Sequence, residues 1–214
     1  MYDFYIFDLD GTILDTLDDL ADGVNYALAA HGLPQRTRAE VQAFVGNGYR
    51  VLMERAVGET AACGVIDEAL KTFTAYYAEH SQVKTKPYDG IIELLQTLNA
   101  RGAKCAVVSN KFNGAVQTLI PAYFGGVFAA AFGSDESVGL KRKPAPDTVF
   151  AVMETLGATA ENTVYIGDSD VDLQTAKNAG LPCIAVTWGF RDKEFLKAHG
   201  ATVFADKPCE IANL

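Results

Sequence analysis

The sequence predicts an α/β protein, in which an all-helical domain is inserted into a doubly wound parallel sheet. Of the 214 residues, 49% are apolar, which is enough to bury a full core. Short apolar runs alternate with amphipathic helical patterns, as expected for parallel strands whose sheet is covered by helices on both faces. One connection between two runs is much longer than a helical crossover requires, and it predicts the inserted domain.

Six short apolar runs predict buried strands, because each is followed by a polar or glycine-rich turn. They span residues 4–9, 105–108, 129–132, 164–166, 183–186 and 202–204. Apolar residues with helical spacing lie between most of these runs. Two examples are the set Ile91, Leu94, Leu95 and Leu98 and the set Val149, Phe150, Met153 and Leu156.

The connection from Leu14 to Lys104 takes about ninety residues, whereas a parallel crossover needs only about a dozen. A structureless loop of that length is uncommon inside a compact domain, and this segment carries helical apolar spacing of its own. We therefore predict a helical domain at residues 16–82 and a core domain formed by residues 1–15 and 83–214.

The charge pattern limits the classes of partner. Net charge is −9, and the Lys and Arg residues are scattered, which argues against nucleic acid or an anionic membrane surface. No window approaches the ~18 apolar residues of a membrane span, and no basic segment precedes an apolar one at the start. We expect a cytoplasmic protein, either monomer or homodimer, that binds a small molecule.

The cysteines are widely spaced, and none belongs to a C-x-x-C pair. They are Cys63, Cys105, Cys183 and Cys209. We predict buried free thiols rather than a metal site or a disulfide framework. The histidines lie in polar helical stretches, so we expect them on the surface and assign them no role. They are His31, His80 and His199.

Two carboxylates, Asp8 and Asp10, end the first apolar run in the sequence YIFDLDGT. Open α/β sheets bind ligands at the carboxyl ends of their strands, where this pair is predicted to lie. Two carboxylates ~4 Å apart repel by about 1 kcal/mol in water and by more in a dry cleft, so they need a proton or a cation such as Mg²⁺. A solvated turn is the alternative. A calcium loop is excluded because its sixth position from Asp8 is Ile13 instead of Gly.

The second run ends in VVSNK, which places Ser109, Asn110 and Lys111 before a helical pattern. The Ser109 hydroxyl and the backbone N–H groups of Asn110 and Lys111 suit a phosphate oxygen. An ordinary turn is the alternative interpretation. A serine hydrolase is not indicated, because no G-x-S-x-G surrounds Ser109.

A basic segment, LKRKPAPD, lies before the Val149 helix. Pro144 and Pro146 restrict the backbone, so that the cation of Lys143 is held on a stiff stretch, and Pro146 can open the helix. Lys141 and Arg142 are interpreted as solvated surface residues.

The fourth run ends in YIGDSDVD. Asp168 follows the predicted strand directly, whereas Asp172 lies in the first turn of a helix. Acidic residues at a helix N-terminus are ordinary caps, and we interpret Asp170 in this way. For Asp168 we favour a metal ligand, because a third acid at the same sheet edge suits a hard cation.

The four motifs occur in one order at four predicted strand ends. In FDLDGT, VVSN, KPAP and GDSDVD the chain resembles the haloacid dehalogenase superfamily of phosphatases and related phosphotransferases, and the likeness covers nearly its whole length. The resemblance implies that Asp8 is a nucleophile and that Asp10 is a general acid and base. It also implies that Asp8, the backbone carbonyl of Asp10 and Asp168 hold Mg²⁺.

The same resemblance assigns roles to four further residues. Lys143 and Ser109 would hold the oxygens of the transferred phosphoryl group, with Asn110 beside them. Asp172 would orient either the metal shell or Lys143, and we count it among the metal ligands.

Within the superfamily, the stretches FVGNGYRVLMERA, SNK and WGFRDKEFLKAHGA resemble phosphoglycolate phosphatases. Gly46 would lie on the surface of a helical cap, and Arg50 is a candidate ligand for a substrate carboxylate, although a surface role is the alternative. Other functions remain open: a β-phosphoglucomutase-like phosphomutase, a nucleotide or pyrophosphate phosphohydrolase, or a catalytically idle regulatory module. The mutase group typically has Glu-Asp where this chain has Gly167 and Asp168.

Overall fold

The computed structural model describes residues 1–58 and 64–214, so that Cys63 lies outside the described residues. The chain forms two compact units, one of residues 1–14 and 87–214 and the other of residues 15–86. The strands are β1 (Phe4–Phe7), β2 (Leu14–Asp15), β3 (Lys86–Pro87), β4 (Lys104–Phe112), β5 (Ala130–Ser134), β6 (Thr163–Gly167), β7 (Cys183–Val186) and β8 (Val203–Ala205). The chain leaves the larger unit between Leu14 and Asp15 of β2, and it returns between Lys86 and Pro87 of β3, the strand that pairs with β2.

The helices of the larger unit follow its strands in alternation. They are α5 (Ile91–Ala100), α6 (Asn113–Phe124), α7 (Asp147–Leu156), α8 (Asp170–Ala179), α9 (Lys193–Ala198) and α10 (Pro208–Ile211). The described residues form a six-stranded sheet in the order β5-β4-β1-β6-β7-β8, and all its strand pairs are parallel. The predicted fold class is confirmed.

Alternating side chains of the central strand build a core on each face of the sheet. Tyr5 and Phe7 pack in one apolar cluster with residues of α5, α6 and α10. Ile6 points the other way and packs with Val149 of α7 and Ala176 of α8. Helices on both faces explain why the strands are apolar throughout.

All six predicted strands occur, but the run at 105–108 belongs to a longer strand. β4 continues to Phe112, and its pairing with β5 becomes irregular between Val108 and Phe112. Ser109, Asn110 and Lys111 therefore belong to an irregular strand end instead of a turn after the strand. α7 begins at Asp147 with Pro146 as its N-terminal cap residue, one position later than a helix opened by Pro146.

The smaller unit is helical in the residues described. Its helices are α1 (Leu17–Ala30), α2 (Arg38–Phe44), α3 (Gly48–Val57) and α4 (Val65–His80). α1 approaches α4 closely at Gly23, where a Cβ would lie 3.0 Å from the Phe73 ring. The buried Asp19 carboxylate accepts hydrogen bonds from the backbone N–H groups of Lys84, at 2.9 Å, and Thr85, at 2.8 Å. These bonds fix the end of the unit to α1.

The cysteine prediction is correct in part. Cys105 is a buried free thiol, and burial raises its pKa to about 12. Cys183 is partly buried and free. The prediction is wrong for Cys209, which is exposed because the short helix α10 turns Ile211 toward the core instead.

His31 and His199 are exposed, whereas His80 is partly buried because its ring stacks on Tyr76 at 4.0 Å between centroids. In residues 1–58 and 64–214, every helix is too short or too polar to cross a membrane.

Candidate functional site

The strand order reverses between β1 and β6, and this point of the sheet carries the candidate site. Chain connections leave β1 toward β4 and β5 and then return to β6 on the other side. Such a reversal opens a crevice at the carboxyl ends of the two strands. Asp8 follows β1, and Asp168 follows β6. The Asp8 N–H donates to the Ile166 carbonyl at 2.8 Å, which continues the ladder and sets the two acids side by side.

Lys143 lies buried between two carboxylates of this crevice. Its Nζ donates to Asp8 Oδ1 at 2.6 Å and to Asp172 Oδ1 at 2.7 Å. Burial lowers the pKa of Lys143, but the charges of Asp172 and Asp8 outweigh it, so that the pKa is raised and the ammonium stays charged. The structure thus brings together three of the residues predicted from separate motifs.

The side chain of Asn110 holds the main chain of Lys143 from both sides. Its Oδ1 accepts from the Lys143 N–H at 2.6 Å, and its Nδ2 donates to the Lys143 carbonyl at 3.1 Å. Sequence reasoning assigned Asn110 to substrate through its backbone and did not anticipate this contact. An amide side chain two residues after the apolar run that ends at Val108 was the available signal.

Both oxygens of Asp172 accept hydrogen bonds within the protein. Oδ1 accepts from Lys143 and, at 3.0 Å, from the Tyr165 hydroxyl, while Oδ2 completes a capping box with Ser169 at the start of α8. Burial and the charge of Asp172 raise the pKa of Tyr165 well above its usual value, so that the hydroxyl remains a donor. These contacts hold Asp172 beside Lys143.

Two chain segments hold Asp168 by hydrogen bonds, and each segment also places a glycine against its side chain. Its Oδ2 accepts from the Phe190 N–H at 2.6 Å, and its Oδ1 accepts from the Thr12 hydroxyl at 3.3 Å. A Cβ at Gly189 would lie 2.3 Å from the Asp168 Cβ, and one at Gly11 would lie 2.3 Å from its Oδ2. Only glycine fits at either position. The contribution of Gly189 was missed because it lies far along the chain from the acid motifs.

Asp8, Asp168 and Asp172 can each direct one carboxylate oxygen into a common site, with these atoms all within 4.8 Å of one another. Burial raises the pKa of Asp8 well above its ordinary value, helped by Asp172 and opposed by Lys143. Burial and the charge of Asp172 likewise raise the pKa of Asp168 to about 7. Buried carboxylates of this kind need a proton or a cation, and oxygen donors fit a hard ion such as Mg²⁺.

Asp10 lies in a separate ion pair. Its Oδ1 is 3.0 Å from the Nζ of Lys111, whose side chain is 1% exposed, whereas that of Asp10 is 17% exposed. The structure therefore gives the two predicted acids different lysine partners. Sequence reasoning used only the backbone of Lys111 and missed its side chain.

Ser109 is buried at the irregular end of β4. Its hydroxyl oxygen accepts from the Lys111 N–H at 3.1 Å. The Ser109 side chain thereby shapes the turn of backbone that carries Lys111.

Gly46 and Arg50 belong to the helical unit. Gly46 has a φ of +124°, a conformation that favours glycine. The Arg50 guanidinium donates to Asp67 at 2.6 Å and lies 3.7 Å from Glu54. The guanidinium therefore already pairs with two carboxylates of the protein itself. The role of Arg50 as a ligand for a substrate carboxylate stays a prediction.

Comparison with known proteins identifies the class. The family model of haloacid dehalogenase-like hydrolases matches residues 5–186, which include all four motifs. The chain belongs to this family, and the resemblance predicted from its motifs is confirmed.

Several relatives carry a more specific name. The phosphoglycolate phosphatase of Mesorhizobium japonicum is 36% identical over 206 residues, which cover 94% of this chain and 89% of the relative. That of Pseudomonas syringae pv. tomato is 34% identical and is matched over 74% of its length by 96% of this chain. A crystal structure of a candidate phosphoglycolate phosphatase from Lactobacillus delbrueckii subsp. bulgaricus superposes with a TM-score of 0.94 at 40% identity, covering 98% of this chain and 96% of the other.

Proposed function

We propose that the protein is a Mg²⁺-dependent phosphatase that hydrolyses a small phosphate monoester through an aspartyl-phosphate on Asp8. The observation that carries the proposal is the buried cluster in which Lys143 bonds to Asp8 and Asp172, with Asp168 beside them. A carboxylate nucleophile, a fixed cation and a set of metal ligands meet there at the point where α/β sheets bind ligands.

In the first step, a carboxylate oxygen of Asp8 attacks phosphorus and forms a new O–P bond. The ester P–O bond breaks, and its electron pair leaves with the alkoxide oxygen, which takes a proton from the Asp10 carboxyl. In the second step, the Asp10 carboxylate removes a proton from water as the water oxygen attacks phosphorus. Inorganic phosphate leaves, and the Asp8 carboxylate is restored.

The fixed charges around Asp8 support both steps. Asp8 must be ionised to attack, yet burial raises its pKa, so that it depends on nearby positive charge. Lys143 supplies one cation at 2.6 Å, held in place by Asn110. Asp8, Asp168 and the carbonyl of Asp10 would hold Mg²⁺, and Asp172 would orient the metal shell or Lys143. The bound ion would offset repulsion between the nucleophile and an anionic phosphate.

The relatives named phosphoglycolate phosphatase support 2-phosphoglycolate as the substrate. Gly167 supports a phosphatase over a mutase. A Cβ at this position would lie 2.3 Å from the Asp172 Cβ, so that the glutamate typical of the mutase group would displace Asp172 from its position beside Lys143. In this proposal the helical unit acts as a cap that contributes Gly46 and Arg50 to the choice of substrate.

The test is phosphate release from a panel of monoesters, comparing the wild type with Asp8→Asn. We expect 2-phosphoglycolate to give the highest kcat/KM, EDTA to abolish release and Mg²⁺ to restore it. Equal rates for 2-phosphoglycolate and generic esters would reject the substrate assignment. Isomerisation of a sugar phosphate without net phosphate release would identify a mutase. If no ester reacted, the catalytically idle regulatory module would be the remaining interpretation.

A further inference from the structure

Lys111 is a buried cation that the proposed mechanism does not use. Its side chain is 1% exposed, and its Nζ lies 3.0 Å from Oδ1 of Asp10. Removing an ammonium group from water is unfavourable unless its partners compensate. We propose that Lys111 is a positioning residue for Asp10: its ammonium holds the carboxyl group in the orientation needed for proton transfer to the leaving oxygen.

The backbone around Lys111 is built to place this side chain. The Ser109 hydroxyl oxygen accepts from the Lys111 N–H at 3.1 Å, and the Ser134 hydroxyl donates to the Asn110 carbonyl at 3.1 Å. A Cβ at Gly133 would lie 2.5 Å from the Lys111 carbonyl oxygen, so that β5 can approach only with glycine there. The irregular end of β4 thus turns Lys111 inward.

Two lysines therefore serve different acids. Lys143 contacts Asp8 and Asp172, whereas Lys111 contacts Asp10. An ion pair that fixes one oxygen of a carboxyl group limits the rotation of the whole group, and proton transfer requires it to stay within hydrogen-bond reach of the leaving oxygen. This inference rests on the proposed function, in which Asp10 is the general acid.

The experiment compares three esters that differ in leaving group and charge. p-Nitrophenyl phosphate releases a stable anion that needs no proton. Ethyl phosphate and 2-phosphoglycolate both release an alkoxide that needs one, but only the second carries a carboxylate. In Lys111→Met we expect kcat/KM to fall about 10- to 100-fold for both alkyl esters and less than about threefold for p-nitrophenyl phosphate. Lys111→Arg keeps the charge and should recover part of the loss.

A double mutant shows whether Lys111 acts through Asp10. If it does, Asp10→Asn combined with Lys111→Met will hydrolyse ethyl phosphate no more slowly than Asp10→Asn alone. Additive losses would overturn the proposal. Lys143→Met is the matched control. Because Lys143 is proposed to hold phosphoryl oxygens, its loss should slow the hydrolysis of all three esters.

Other patterns also contradict the proposal. Equal loss on all three esters would mean that Lys111 contacts the phosphoryl group or only supports the fold. Loss confined to 2-phosphoglycolate would make it a ligand of the substrate carboxylate. Urea unfolding checks the fold of each variant, and Lys111→Gln, which also removes the charge, is tested on the same esters if the Met variant does not fold. Failure of the wild type to hydrolyse any ester rejects the proposed function itself, which separates the two failures.

Discussion

The two units contain ion pairs of the same length in opposite environments. Lys143 and Asp8 of the larger unit lie 2.6 Å apart with side chains 3% and 9% exposed. Arg50 and Asp67 of the helical unit are also 2.6 Å apart, but their side chains are 48% and 56% exposed. Water and salt screen the second pair and leave the first unscreened. The distance between charges therefore does not mark a functional site, whereas burial among other charges does.

Burial also makes the charges around Lys143 and Asp8 unfavourable for folding unless a proton or a cation binds to the carboxylates. Asp8, Asp168 and Asp172 repel one another in a region of low dielectric, and one lysine pairs with only two of them. Proteins tolerate such local strain at sites where chemistry requires it. The comparison predicts that substitutions at the sheet edge change activity far more than substitutions on the helical surface.

The largest effect is expected for Asp8→Asn. The amide cannot attack phosphorus, so phosphate release should fall by about 10⁴-fold or more. The raised pKa of Asp8 means that its charge opposes folding, so the variant should unfold at the same or a higher urea concentration near neutral pH. A variant that is inactive because it is unstable would contradict this prediction.

Gly189→Ala should weaken metal binding by about tenfold or more, because the added methyl displaces Asp168. Calorimetric titration with Mg²⁺ measures the change. Gly126→Ala is the matched control, since a Cβ there meets nothing within 4 Å. Unchanged Mg²⁺ affinity in the Gly189 variant would show that Asp168 is not a ligand.

Asp168 should make the protein less stable as pH rises, whereas a carboxylate whose pKa is lowered by folding makes a protein more stable. The pKa of Asp168 is raised from 3.8 to about 7, so the folded protein binds this proton more tightly than the unfolded chain. Without metal, the free energy of unfolding should therefore fall as pH rises from about 4 to about 7. Saturating Mg²⁺ replaces the proton and should remove the decline. Urea titrations with Asp168→Asn, in which the slope should be smaller, provide the control.

The smallest effect is expected for Arg50→Ala. Its pairs are exposed, so the urea midpoint should stay within error of the wild type. Arg38→Ala is the matched control, because Arg38 lies 2.6 Å from Asp18 in an equally exposed pair. A rise in KM for 2-phosphoglycolate alone, in Arg50→Ala but not Arg38→Ala, would make Arg50 a carboxylate ligand. Equal KM values would leave it a surface residue.

The fold class and the positions of Asp8 and Asp168 could be predicted because they depend on short-range patterns. Apolar runs mark buried strands, and a parallel sheet brings the carboxyl ends of its strands to one edge. The exact end of β4 was not predictable. The strand extends to Phe112 because it pairs with β5, whereas the apolar run in the sequence ends at Val108.

The sequence by itself determined the α/β class, the helical insertion pattern and the motifs that bear the acids and Lys143, because each is encoded within a few neighbouring residues. Only the tertiary structure decided that Lys111 pairs with Asp10, that Asn110 holds Lys143 and that Gly189 leaves room for Asp168. These contacts join segments that are distant in the chain. They follow from strand order and close packing, which no local pattern specifies.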